Sequence, residues 1–143
     1  MTPMTWDTGM SETKVLEALA SALAGDHRKV HELARRLGRA EGLPEIAAAV
    51  EELNQLLGPH FADEERAHGL YDSLAERRPE YGAALAALRE EHEQILSSTQ
   101  SLLRQVADRA ASPHGLAEEA GRLSALLFDH ERRESALATG AES

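Results

Sequence analysis

Apolar residues recur in this chain at alternating steps of four and three along four separate stretches. This spacing is typical of one buried face of an α-helix in a bundle. In the first stretch the face passes through Leu16, Leu23, Val30 and Leu37. No stretch alternates with a period of two, and aromatic residues make up only 3% of the chain, so a sheet is not expected. The pattern predicts an all-α fold, an antiparallel up-down-up-down four-helix bundle.

Prolines and glycines divide the chain between the four helices. The first helix is predicted to begin at Ser11 and Glu12 and to end near residue 38. After Gly42-Leu43-Pro44 a second helix is predicted to run to about residue 77, with a kink at Gly58-Pro59. A third helix follows Arg78-Pro79 and ends near residue 110. Ser112 resembles an N-cap followed by proline at N1, and it opens a fourth helix that ends near residue 138.

This division predicts three segments along the chain. Residues 1–10 form an irregular N-terminal arm, residues 11–138 form the bundle, and residues 139–143 form a frayed C-terminus. The connections between helices are short, so helices that follow one another in sequence should be antiparallel neighbours.

Charge and composition exclude several classes of partner. The formal net charge of −10 argues against nucleic acid, whose phosphates require a basic surface, and against anionic lipid. No apolar run approaches the roughly 20 residues that span a bilayer, and the first ten residues lack the basic segment and apolar core of a signal peptide. A cytoplasmic location is therefore expected. Because cysteine is absent, any metal must be bound through histidine, carboxylate, tyrosine or water.

Histidines and glutamates interrupt the apolar faces at one level of the predicted bundle. Each helix places one histidine on its buried face, and two helices add a glutamate one turn later, where both side chains reach a common point. An unpartnered buried carboxylate is very costly, whereas a metal centre supplies positive charge and uses the free lone pairs. Two carboxylates that can bridge, with imidazoles around them, suit two ions better than one. The predicted metal ligands are His27, His60, Glu64, His92, His130 and Glu134.

Other residues compete for roles near this level. His31 and His68 lie at the edges of the buried faces, where a solvated or outer role is expected, and His114 is expected to be solvated. Tyr71 is either a core aromatic or a group that hydrogen-bonds or ligates near the metals. Glu65 and Glu91 adjoin predicted ligands but point off the face, so they are expected to be solvated, with an outer hydrogen bond as the alternative. The Glu-x-x-His spacing of ferritin-like bundles occurs only at residues 65–68, off the buried face.

The order of these motifs resembles that of the hemerythrin-like (HHE cation-binding) domains. His27 comes first, followed by the segments His60-Phe61-Ala62-Asp63-Glu64, Glu91-His92-Glu93 and His130 to Glu134. The resemblance covers roughly residues 12–138. It is closest to bacterial members with one histidine on the third helix, because leucines stand one turn to either side of His92.

The resemblance implies a ligand set and a cofactor. Two iron ions would be bound, one by His27 and His60 and the other by His92 and His130. Glu64 and Glu134 would bridge them together with an oxo or hydroxo group. Zinc or manganese would also accept these donors, so iron follows from the resemblance.

The resemblance also implies chemistry with small molecules. The oxygen-carrying members have a second histidine on the third helix, and their fourth helix spaces histidine and aspartate by five residues, so both features differ here. We therefore expect binding or turnover of dioxygen, peroxide or nitric oxide at the centre, with catalase-like or nitric oxide reducing activity if the chain is an oxidoreductase. The alternative is an iron-storage or an oxygen- or redox-sensing module without catalysis. A monomer or weak homodimer is expected.

Overall fold

The structure, a computed structural model, describes residues 12–108 and 111–142, and these are almost entirely helical. No strand occurs among them. A short 3-10 helix, Pro79–Tyr81, precedes the fourth of the α-helices. The predicted arm at residues 1–10 lies outside the described residues. The α-helices are α1 (Glu12–Arg39), α2 (Leu43–Glu65), α3 (Leu70–Arg77), α4 (Gly82–Ala107) and α5 (Pro113–Glu142).

The long helices form a ring in which each packs against its neighbours in sequence. Helix α1 packs against α2 and α5, and α4 packs against the same two helices. Arg36 Nη1 donates to Glu52 Oε2 at 2.9 Å, while nearer the start of α1 His27 lies beside Glu64 near the end of α2. These two contacts run in opposite chain directions, so α1 and α2 are antiparallel. The predicted all-α antiparallel bundle is confirmed.

The start of α5 follows the predicted N-cap pattern. Ser112 Oγ accepts a hydrogen bond from the backbone N–H of Gly115 at 3.4 Å, and Pro113 is the first helical residue. Proline suits this position because its missing N–H would have no partner inside the helix. The sequence therefore places this boundary correctly.

The second predicted helix is divided at a different place from the one expected. Pro59 lies inside α2, which continues to Glu65, and the break falls at residues 66–69. His68 there has a φ of 60°, and its backbone N–H donates to Asp72 Oδ2 at 2.9 Å. A Cβ on Gly69 would lie 2.8 Å from the carbonyl oxygen of Arg66, so this tight turn needs glycine. The helix is therefore continuous through Gly58-Pro59, and its interruption lies one turn after Glu64.

Residues 139–142, expected from sequence to form a frayed end, are part of α5. Ala141 is fully buried. Arg77 Nε donates to the carbonyl of Ala141 at 2.9 Å, and Arg78 Nη2 donates to that of Gly140 at 3.1 Å. These bonds use carbonyls that a helix end leaves without partners, and they hold residues 139–142 in the helix. The structure thus continues α5 to Glu142, four residues beyond the helix end expected from sequence.

The interior has two apolar clusters with a polar layer between them. The larger cluster includes Val30, Leu53, Ile95 and Leu127. The smaller one includes Leu16, Leu23, Leu74 and Leu88, with Tyr71 at its edge. On α1, α4 and α5 the predicted ligands fall between the residues of the two clusters, so the polar layer crosses the bundle. Among the described helices, none is both long and apolar enough to cross a membrane.

Gly69→Ala should destabilise the fold, because the added Cβ would meet the backbone oxygens of Arg66 and Asp63 at 2.8 and 2.9 Å. We expect a loss of about 1–3 kcal/mol in the free energy of unfolding, measured by urea denaturation. Gly58→Ala is the control, because nothing lies within 4 Å of its Cβ position inside α2. This control should gain about 0.5–1 kcal/mol. Equal stability of the two variants would contradict the role given to Gly69.

Candidate metal centre

The six predicted ligands meet inside the bundle. The relative exposure of His60, Glu64, His92, His130 and Glu134 is 2% or less. The His27 side chain is 27% exposed. The ligand atoms form two groups, and within each group all atoms lie within 4.8 Å of one another. One group comes from Glu64, His92, His130 and Glu134, and the other from His27, His60 and Glu131. The structure thus brings all six residues to one layer.

Glu64 directs its two carboxylate oxygens to different histidines. Its Oε2 lies 3.1 Å from His27 Nε2 and 3.3 Å from His60 Nε2. Its Oε1 lies 3.2 Å from His92 Nε2. We call the site around His27 and His60 the α1–α2 half of the centre, and the site around His92 and His130 the α4–α5 half. Glu64 therefore spans the two halves.

Glu134 has the matching arrangement from the opposite side. Its Oε1 lies 3.0 Å from His27 Nε2, and its Oε2 lies 3.7 Å from His130 Nε2. Each glutamate therefore has one oxygen at each half of the centre. This is the placement that a bridging carboxylate needs between two ions.

Four buried polar atoms at this level have no contact with hydrogen-bond geometry, although some lie close to an opposite partner, such as Glu134 Oε1 at 3.0 Å from His27 Nε2. Two are imidazole nitrogens and two are carboxylate oxygens, and all belong to predicted ligands: His60 Nε2, His130 Nε2, Glu64 Oε1 and Glu134 Oε1. A buried donor or acceptor without a partner costs about 1–3 kcal/mol. Coordination of a metal ion would use these atoms, so the donor set fits a cation.

Three histidines are held from behind by carboxylates. Asp26 accepts from His60 Nδ1 at 3.2 Å, and Glu65 accepts from His92 Nδ1 at 2.5 Å. Glu91 accepts from His130 Nδ1 at 2.8 Å. With Nδ1 occupied, each ring turns Nε2 toward the centre, an orientation typical of metal-binding histidines. The outer hydrogen bond considered as the alternative for Glu65 and Glu91 is therefore confirmed.

Arg133 holds Glu91, the most buried of these three carboxylates. Its Nη2 lies 2.5 Å from both oxygens of Glu91, and its Nε donates to Asp129 Oδ2 at 2.9 Å. Burial alone would raise the pKa of Glu91, but its hydrogen bonds with Arg133 and His130 outweigh this effect and lower it. Glu91 is therefore a charged acceptor that fixes the ring of His130.

Burial and neighbouring groups shift the pKa values of the two central glutamates in opposite directions. Burial would raise the pKa of Glu64, but its contacts with three histidines outweigh burial and lower it. Burial raises the pKa of Glu134 to about 8, and the neighbouring Glu64 adds to the rise, although the contact with His27 opposes it. Two carboxylates at one site resist ionising together unless positive charge is added. A bound cation would supply that charge.

His27 takes up part of this negative charge. Burial would lower its pKa, but the close contacts with the carboxylates of Glu134 and Glu64 outweigh burial and raise the pKa to about 10. Metal binding requires a neutral imidazole, so an ion entering at His27 must displace a proton there.

Tyr71 is fully buried and its hydroxyl reaches the centre. Its O–H donates to Glu134 Oε2 at 2.5 Å, and its oxygen lies 3.0 Å from His92 Nε2. Burial and the nearby negative charges of Glu134 and Glu64 raise its pKa, which favours the phenol. Of the two roles considered from sequence, the structure shows the hydrogen-bonding one.

Phe61 packs on the histidines of the α4–α5 half. Its ring stacks on His92 with centroids 3.8 Å apart and planes 8° apart. The His130 ring lies 5.8 Å away. Phe61 is 2% exposed and His92 is 1% exposed, and both border a cavity of about 430 Å³.

The remaining histidines lie outside the ligand layer. His68 is exposed, and His114, whose side chain is 86% exposed, pairs with Glu118. His31 packs against Phe128, with ring centroids 5.5 Å apart. Its pKa is lowered by burial and by the charge of His27. The expected outer position is therefore seen for His31.

The α1–α2 half opens into a cavity of about 210 Å³. Its walls include His27, His31, Glu131 and Glu134. Glu131 was not predicted from sequence, although it is only 5% exposed. The available signal was its spacing of three residues from Glu134, which puts both on one side of a helix.

A helical bundle that presents histidines and carboxylates from all its walls to one buried layer can hold metal cations. The family model of the hemerythrin HHE cation binding domain matches residues 18–138, which includes all six predicted ligands. The chain therefore belongs to the hemerythrin HHE family, and the resemblance drawn from its motifs is confirmed. No curated protein and no solved structure matches the chain significantly.

Glu91→Gln should weaken metal binding without changing any predicted ligand. The change preserves the size of the side chain but removes the charge that holds His130. We expect about a 10–100-fold loss in affinity, measured by competition between the protein and a chelator for iron(II) without oxygen. Glu90→Gln is the matched control, because Glu90 is the preceding residue of α4 and is exposed. Equal affinities of the two variants would argue against an orienting role for Glu91.

Proposed function

We propose that this chain is a non-haem di-iron protein that binds and turns over dioxygen, peroxide or nitric oxide inside the bundle. The observation that carries this proposal is that each of the two glutamates has one carboxylate oxygen at each half of the centre. Glu64 places one oxygen beside His60 and the other beside His92. Glu134 places one oxygen beside His27 and the other nearest His130. A site for a single ion would not need two carboxylates that each span both halves.

Each half would hold one ion. His27 and His60 would bind it in the α1–α2 half, and His92 and His130 would bind it in the α4–α5 half. Glu64 and Glu134 would bridge the two. The nitrogen and oxygen donors suit iron, manganese and zinc, and membership of the hemerythrin family favours iron. When bound, an iron pair would supply the capacity to bind a small molecule and exchange electrons with it.

The chain itself would control protons and water around this centre. Tyr71 keeps a proton at Glu134 Oε2, so a proton donor stands beside the α4–α5 half. Leu70, Leu74 and Leu88 are 1% exposed or less. These side chains exclude bulk water from the layer below the centre and strengthen electrostatic interactions within it.

Tyr71 would also take the place of the histidine that α4 lacks. Its oxygen lies 3.0 Å from His92 Nε2, within reach of an ion that His92 would bind. The oxygen-carrying relatives have a histidine as the further donor there. A phenol that can either hydrogen-bond or coordinate favours reactivity over simple oxygen carriage.

Purified protein loaded with iron should contain two iron ions per chain and show absorption bands of an oxo-bridged ferric centre that change on addition of azide. His130→Ala should lose most of this iron, because the variant lacks a nitrogen donor in the α4–α5 half. His114→Ala should retain it, since that side chain is solvated. The measurements are metal analysis and an absorption spectrum of each variant. A folded, colourless wild-type protein that takes up no iron would refute the proposal.

Turnover should then be visible as gas evolution when peroxide is added to the iron-loaded protein, or as consumption of nitric oxide by its reduced form. Activity should persist in His114→Ala and disappear in His130→Ala in proportion to its iron content. An iron-loaded wild-type protein that binds these molecules without consuming them would instead have the storage or sensing role, without catalysis.

A further inference from the structure

Glu131 is a buried carboxylate without a role in the ligand set described above. It lies next to His130 on α5 and is only 5% exposed. Its one ion-pair contact among the described residues is with His27 Nε2 at 3.9 Å, which is too long for a hydrogen bond. A buried carboxylate with so weak a contact destabilises a bundle unless another group compensates for it.

The direction of Glu131 separates two explanations. The outer carboxylates that orient histidines contact Nδ1, as Asp26 does on His60. Glu131 instead faces Nε2 of His27, the nitrogen that also faces the central glutamates. It therefore lies on the metal side of the histidine, where a ligand belongs, and not behind the ring.

The positions of neighbouring donors agree with this reading. Ligand atoms of His27, His60 and Glu131 all lie within 4.8 Å of one another, and they come from α1, α2 and α5. Three donors from three helices can surround one ion. The α4–α5 half has its own two histidines and the nearby hydroxyl of Tyr71.

We propose that Glu131 is a terminal carboxylate ligand of the metal ion held by His27 and His60. This assignment rests on the proposed function, and it makes the two halves chemically different. The α1–α2 half has two imidazoles and a negatively charged terminal ligand, whereas the α4–α5 half has two imidazoles and a phenol. Glu131 strengthens cation binding in the α1–α2 half.

The cavity gives Glu131 a second contribution to loading. Glu131 and Glu134 both line this space of about 210 Å³, which is enough for several water molecules at roughly 30 Å³ each. A cation entering there meets two carboxylates before it reaches His60, which is 1% exposed. The same side chain would thus attract the ion and bind it.

Glu131→Gln in the full chain tests this ligand assignment. Cobalt(II) and iron(II) are titrated separately under anaerobic conditions in competition with a chelator. We expect two tight equivalents for the wild type. The variant should keep one of them and bind the second at least about 10-fold more weakly. Glu131→Asp, which retains the charge on a shorter side chain, should lie between the two.

The retained ion should be located by paramagnetic shifts of the histidine ring protons after one equivalent of cobalt(II). We expect shifts at His92 and His130 and a much smaller effect at His27 and His60. Glu118→Gln is the matched control, a glutamate of α5 whose side chain is 56% exposed, and it should bind two equivalents as the wild type does. Circular dichroism and thermal unfolding in the presence of chelator check that each variant folds.

The outcomes separate the two proposals. Two unchanged tight equivalents in Glu131→Gln would overturn the role of Glu131 while leaving the di-iron centre in place. Loss of both equivalents from a folded variant would overturn the assignment of Glu131 to one ion. Failure of the wild type to bind either metal would overturn the proposed function itself.

Discussion

The structure depends on a compensated layer of charge in the middle of a small apolar bundle. Glu64 is fully buried, and three histidine nitrogens lie within 3.3 Å of its oxygens. Without these neighbours an ionised carboxylate at this depth would cost many kcal/mol. The apolar clusters above and below can close only because the polar layer satisfies most of its own groups. The buried atoms of this layer that lack a contact with hydrogen-bond geometry all belong to the predicted ligands.

The same layer joins the four walls of the bundle in a ring. Asp26 of α1 bonds His60 of α2, Glu65 of α2 bonds His92 of α4, and Glu91 of α4 bonds His130 of α5. His27 of α1 closes the ring by its contact with Glu134 of α5. Apolar contacts tolerate small shifts between helices, but these bonds require defined distances and angles. The polar layer therefore sets the register of the helices as well as the geometry of the centre.

The helical fold and the six converging side chains could be predicted from sequence because both follow from one periodicity. Each predicted helix has one histidine on its buried face, and Glu64 and Glu134 follow one turn later. Predicting that these side chains converge requires no knowledge of how the helices cross. The break at residues 66–69 could not be predicted in this way. It depends on the close approach of Gly69 to the backbone of Asp63 and Arg66, whereas Pro59 was a stronger local signal but is accommodated inside α2.

The positions of side chains at the edge of the buried face could not be predicted from periodicity either. Glu65, Glu91 and Glu131 all adjoin a predicted ligand in sequence. Glu65 and Glu91 contact the outer Nδ1 atom of a histidine, whereas Glu131 faces the inner Nε2 atom of His27. Which side each occupies depends on the rotation of its helix and on the position of the neighbouring helix. Neither quantity is contained in the spacing of apolar residues. The role of Tyr71 likewise required the distance from its hydroxyl to Glu134.

The two halves of the centre differ in access, and this difference has consequences for reactivity. In the α4–α5 half, Phe61 stacks on His92 and both side chains are 2% exposed or less, although both border a cavity of about 430 Å³. In the α1–α2 half, His27 is 27% exposed and borders the cavity of about 210 Å³. Under the proposed function a small molecule would enter beside His27, whereas the hydroxyl of Tyr71 lies at the opposite end of Glu134. Glu134 touches both regions, with one oxygen at His27 and the other at Tyr71. Under the proposed function it would connect the point of entry to the proton donor, an arrangement suited to turnover more than to storage.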